Sequence, residues 1–173
     1  MPSLATMLGL QPTNLRPPPS LASGYIIFHF IFAYGILSSR TMKQYYGIDH
    51  NVSPREDLVK YGPEAVKSGK ITQKQLDRLK RNEGAHANSV EHFPLFVGAM
   101  IWAHLTGLST VSINGTALVY TVARLVYATV YVFVDRPAWS QMRGIAWWMS
   151  NIACLRLFWL GGKALNAKPG LYT

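Results

Sequence analysis

Sixteen consecutive residues carry most of the groups in this chain that could do chemistry: Arg81-Asn82-Glu83-Gly84-Ala85-His86-Ala87-Asn88-Ser89-Val90-Glu91-His92-Phe93-Pro94-Leu95-Phe96. Cations, amides, imidazoles and carboxylates here run straight into an apolar stretch at 93–108. Polar side chains entering a membrane-length helix are expensive, and they line a cavity or a protein interface. On a helix, Arg81, Gly84, Asn88 and Glu91 recur at i, i+3, i+7 and i+10, near one face, with His86 on a neighbouring face. A second set, Tyr120, Arg124, Tyr127 and Tyr131, recurs at i, i+4, i+7 and i+11 and forms a polar stripe. Aromatic residues at this spacing suit core packing or an interfacial belt as well as a site. Arginines hold carboxylates bidentately and favour a thiolate over a thiol. The two sets together therefore suit a pocket for an anionic, carboxylate-bearing ligand beside a lipophilic one.

Other chemistries lack their residues. His86 and His92 stand six apart, whereas zinc-binding helices place histidines at i and i+4, so no metal site is expected. No Gly-rich phosphate loop, G-x-S-x-G motif or paired-carboxylate arrangement is present. The single cysteine, Cys154, lies in an apolar stretch and reads as an inert core thiol. The formal charge of +9 raises the question of nucleic acid, but ten of the 17 Lys and Arg fall between Arg40 and Arg81 among five acids. Such a cluster reads as a loop facing anionic headgroups, with no nucleic-acid partner.

Four apolar stretches must position these groups: 21–39, 93–108, 110–134 and 144–162. The first has no formally charged residue across 19 positions, close to the roughly 20 residues that span a bilayer. The expected fold is all-α, a polytopic membrane protein with four transmembrane helices. The basic loop after the first span faces the cytoplasm, with Arg136 and Arg143 on the same side. A Pro-rich leader at 1–20 reads as extended and poorly ordered, and no cleavable signal peptide precedes the first span. Helix one runs over 21–44, with His29 as a helix–helix hydrogen-bond partner and Arg40 either snorkelling to headgroups or touching an anion. Ser53-Pro54-Arg55-Glu56 and Thr72-Gln73-Lys74-Gln75 read as capping boxes, with Gly62-Pro63 as a breaker. Helix two runs over 73–105 and kinks at Pro94, helix three over 111–134, and helix four opens near Gly144 at Trp147-Trp148. Arg156 in the fourth span needs a partner, for which Glu91 is one candidate. Asn114-Gly115-Thr116 is a sequon too near the membrane for much use.

The stretch from Ala85 to Phe96 resembles the signature of the MAPEG superfamily, the membrane-associated proteins of eicosanoid and glutathione metabolism. That superfamily includes microsomal glutathione transferases and leukotriene C synthase. Ala123-Arg124-Leu125-Val126-Tyr127-Ala128-Thr129-Val130-Tyr131 is similar to its third-helix signature, and Arg143 resembles the basic residue that starts its fourth helix. The loop from Tyr46 to Asp57 is similar to a fungal branch. The resemblance implies a left-handed four-helix bundle at 21–165, a tail at 166–173, and assembly as a homotrimer. Its setting would be the endoplasmic reticulum or the outer mitochondrial membrane, in contact with membrane lipids, with the active site towards the cytoplasmic face. It implies glutathione as co-substrate, bound between subunits, and no metal. Arg40, Asn88, Glu91, Tyr127 and Tyr131 would contact glutathione, with His86 and Arg81 at the mouth. Arg124 would hold the bundle or a glutathione carboxylate. Arg143 and Tyr131 would serve the thiolate, which attacks a lipophilic electrophile or peroxide; Arg136 is a rival for the part of Arg143.

Three positions depart from the resemblance. Gly84 stands where several members carry Arg, His92 where Asn is common, and Gly144 where some have Ser. Two other functions therefore stay open: a glutathione-independent isomerase or cyclase of a hydrophobic metabolite, and a non-catalytic lipid-binding scaffold.

Overall fold

A computed structural model describes residues 3–12 and 16–167. Residues 1, 2, 13–15 and 168–173 lie outside the described residues, and with them part of the expected leader and most of the expected tail. Every element among the described residues is helical. These are α1 (Leu4–Met7), α2 (Ala22–Phe30) and a π-helical segment (Ile31–Ile36), then α3 (Arg40–Tyr45), α4 (Asp57–Lys60) and α5 (Gly62–Lys67). Three long helices follow: α6 (Gln73–Leu105), α7 (Thr110–Phe133) and α8 (Pro137–Asn166).

The long helices start where local chemistry starts them. Thr72 caps α6 through Gln75 N–H while the Gln75 side chain reaches back to Thr72 N–H, a complete capping box. Ser109 caps α7 by accepting from Ser112 N–H. Pro137 opens α8, a first-turn position where its missing N–H is not needed. Helix α8 thus begins seven residues before the expected Gly144, because the apolar pattern registers only the part of the helix that leaves the polar surface. The Ser53 box does not form. Ser53 instead accepts Glu56 N–H through its carbonyl in a turn, and α4 begins at Asp57. The break expected at Gly62-Pro63 is present: α4 ends at Lys60 just before it, and the pair opens α5. The first expected helix is also divided, by the π segment and residues 37–39.

Helices α6, α7 and α8 touch one another pairwise, and α2 packs on α6 and α7. Their seam is built from small and aromatic residues: Phe96, Ala99 and Ala103 of α6, Ala117 and Tyr120 of α7, Ala153 and Leu157 of α8. Alanines let helix backbones approach closely, which is how helices gain packing where lipid removes the hydrophobic drive. A second apolar cluster, with Ile48, Leu58, Ile71 and Leu79, fastens the segment 46–71 onto the start of α6. Among the described residues two stretches are long and apolar enough to cross a membrane, Ala22–Tyr45 and Thr110–Phe133. Helices α6 and α8 have the length, at 33 and 30 residues, but carry more charge.

Part of the expected loose leader is tied down. Asn114, fully buried in α7, donates through Nδ2 to the carbonyls of Gly9 (3.1 Å) and Pro19 (3.0 Å) and accepts Leu21 N–H at 2.9 Å. The sequon asparagine is thus a structural clasp with no surface for a glycan.

Candidate functional site

Helix α6 presents two chemically different flanks. Arg81, Gly84, Asn88 and Ser89 look towards α7. Glu83, His86, Ala87, Val90 and Glu91 look towards the π segment, α3 and the loop, where they help to line a cavity of about 540 Å³. Glu91 stands at the border of the two flanks: seven residues past Gly84 and so about 20° round from it, it lines the cavity and is also near enough to Tyr127 of α7 to interact with it electrostatically.

On the cavity side, His86 Nδ1 lies 2.7 Å from the carbonyl of Ala33 in the π segment. A carbonyl only accepts, so Nδ1 donates, and in the neutral ring Nε2 is left as the acceptor. Asn82 donates to Leu37 O at 2.8 Å and holds the end of the same segment. Arg40 also lines the cavity; its guanidinium bonds Asn51 and lies 3.6 Å from Asp49. Behind it runs an ion cluster that spacing alone did not indicate. Lys43, 3% exposed, lies 3.1 Å from Glu83 Oε1 and 3.6 Å from the fully buried Asp57, and donates to Pro54 O. Ser39 also donates to Glu83. The cluster fixes the loop, α3 and α6 relative to one another, and so shapes the cavity. Lys43 lies one helical turn from Arg40, the only local hint of its role.

On the α7 side, Arg124 is 1% exposed and donates to Asn88 Oδ1 at 3.1 Å and Ser89 Oγ at 2.8 Å, with its Cζ 4.4 Å from the Tyr127 ring centre. These bonds commit it to joining α6 and α7. Tyr127 meets Tyr131 edge to face at 5.6 Å, and Arg143 of α8 lies over the Tyr131 ring at 4.3 Å. Arg81 donates to Val132 O at 3.3 Å, so two guanidinium groups flank neighbouring residues of one α7 turn. Arg136 is the exposed N-cap residue of α8.

Gly84 gains a physical reason here. A Cβ at this position would stand 2.6 Å from the Tyr131 hydroxyl oxygen and 3.0 Å from its Cζ. The phenol fills the space that any side chain at position 84 would need. His92, the second departure, turns into the core, where its Nδ1 meets the Tyr120 hydroxyl at 3.1 Å. His29 bonds Thr121 at 2.9 Å, the interhelical partner expected of it. Arg156 does not meet Glu91; it donates to Ser112 and Thr116 at the far end of α7. Among the described residues no cluster of His, Cys, Asp or Glu could hold a metal ion.

The expected residues thus fall into two groups, with Arg40 and His86 on one flank of α6, Arg81, Asn88, Arg124, Tyr127, Tyr131 and Arg143 on the other, and Glu91 at the border between them. In the comparisons with known proteins, no curated protein and no solved structure matches the chain. One family model does, that of the MAPEG family, over residues 19–163, a stretch that contains both groups. That family includes glutathione transferases and related enzymes. With its two apolar spans, the chain is an integral membrane protein that belongs to the MAPEG family.

Proposed function

We propose that this protein is a membrane-bound, glutathione-dependent transferase or peroxidase acting on a lipophilic electrophile. The observation that carries the reading is the Arg143–Tyr131 pair beside Arg81, two cations from α8 and α6 that meet one turn of α7 at a phenol. Fixed cations lower the cost of a thiolate, and a phenol can donate to it. Gly84 removes one cation relative to several family members, but Arg81 and Arg143 keep positive charge next to it. The thiolate would attack the electrophile and release its leaving group, or attack a peroxide oxygen, releasing the alcohol and leaving a sulfenic acid from which a second thiol displaces water to give the disulfide.

The division of the residues over two flanks of α6 supports assembly through copies of the chain. Arg40, His86 and Glu91 of one protomer would complete the Arg81–Tyr131–Arg143 surface of its neighbour. This fits four spans bundled in each protomer, a homotrimer, and glutathione bound between subunits near the cytoplasmic face of the endoplasmic reticulum or outer mitochondrial membrane. Arg40, Asn88, Glu91 and Tyr127 would bind glutathione, and Arg124 would hold Asn88 in place for it. Tyr131→Phe and Arg143→Ala should each lower glutathione-dependent turnover sharply while the assembly stays intact. Unchanged rates for both would refute this assignment.

A further inference from the structure

A groove between α7 and α8 lies far from the residues just described. Thr116 and Tyr131 are fifteen residues apart on α7, about 22 Å at 1.5 Å per residue. The groove has a volume of about 690 Å³ and is polar at one end only. There Arg156, exposed on α8, donates to Ser112 Oγ at 3.3 Å and Thr116 Oγ1 at 3.0 Å. Among the described residues no carboxylate pairs with it. Beyond Thr116 the walls are Val119, Met149 and Ile152. A guanidinium set in an apolar helix face without a counter-ion is costly unless an anion joins it. The two hydroxyls accept from Arg156 and keep their own protons to donate, so they add two neutral donors beside the guanidinium.

We infer that this groove is a binding site for a long-chain carboxylate, its head on Arg156, Ser112 and Thr116 and its chain along Val119, Met149 and Ile152. The fork of a guanidinium matches a planar carboxylate. A two-chain phospholipid would bring ester carbonyls to walls that offer them no donor past Thr116. The site is separate from the proposed glutathione surface and does not depend on it.

The test is equilibrium binding of radiolabelled oleate to the full chain in nanodiscs of zwitterionic lipid, with oleyl alcohol and phosphatidylglycerol as competitors. Oleate should saturate at one per chain, and oleyl alcohol should compete at least about tenfold less well, since it lacks the charge-assisted bond. Arg156→Gln should weaken oleate about tenfold, Ile152→Trp should block it by filling the chain half of the groove, and Arg40→Gln should leave it unchanged. Equal competition by oleyl alcohol on the unmodified protein would overturn the inference without any variant. Displacement of oleate by phosphatidylglycerol at lower concentration would overturn it in favour of a phospholipid. Loss of binding in Arg40→Gln but not in Arg156→Gln would place oleate elsewhere and overturn it too.

Discussion

Replacing Gly84 with Ala tests whether Tyr131 is held where the site needs it. Ala in a helix interior gains about 1 kcal/mol over Gly. Against this, the new methyl would stand 2.6 Å from the phenol oxygen and 3.0 and 3.2 Å from the ring carbons Cζ and Cε1. The ring must swing away, at the about 1–3 kcal/mol typical of overpacking. The net expectation is a loss of about 0–2 kcal/mol, or up to a few degrees in Tm for a chain of this length. The same change made in a Tyr131→Phe background meets no oxygen, and the remaining contacts need a shift of only a few tenths of an ångström. It should then be neutral or stabilising, which makes the coupling between the two positions about 1 kcal/mol or more. Thermal unfolding of the four proteins of the cycle in detergent measures it. In the Tyr131 background turnover should also fall, because the ring leaves its seat under Arg143. If Gly84→Ala stabilises both backgrounds equally and turnover is unchanged, the packing argument for Gly84 is wrong.

Other substitutions probe the parts that support the site. Lys43→Met strands the buried Asp57 carboxylate, takes the cation from the half-buried Glu83, and should cost about 3–5 kcal/mol, with part recovered by adding Asp57→Asn; unfolding temperature and protease cleavage within 46–71 report both. Asn114→Ala removes three hydrogen bonds worth about 1 kcal/mol each and should speed proteolysis of the segment before Leu21 while leaving α6 protected. Expression of the unmodified chain in secretory membranes should give no glycosidase-sensitive band shift, because Asn114 is fully buried.

What the sequence makes legible is mostly local. The Thr72–Gln75 box, the bounds of α6 and the Arg124–Tyr127–Tyr131 stripe follow from neighbours within a turn or two, and the structure repeats them. The start of α8 was hidden because the first turns of that helix are polar, although Pro137 after Arg136 is a start signal in its own right. Lys43, Asp57 and Glu83 come from three segments up to 40 residues apart, and no spacing rule joins them. Glu91 lies at the edge of the face that its spacing indicates, where it reaches both the cavity and Tyr127. The function of Gly84 was out of reach without coordinates, since a missing side chain gives no sign of the group that occupies its space.

Equilibrium binding of glutathione to the detergent-purified protein, read by calorimetry and then by thiolate absorbance, bears most directly on the proposed activity. Saturable binding with a thiolate band that Arg143→Ala abolishes is the expected result. Absence of binding at millimolar glutathione would contradict it and leave a glutathione-independent role for the same surface.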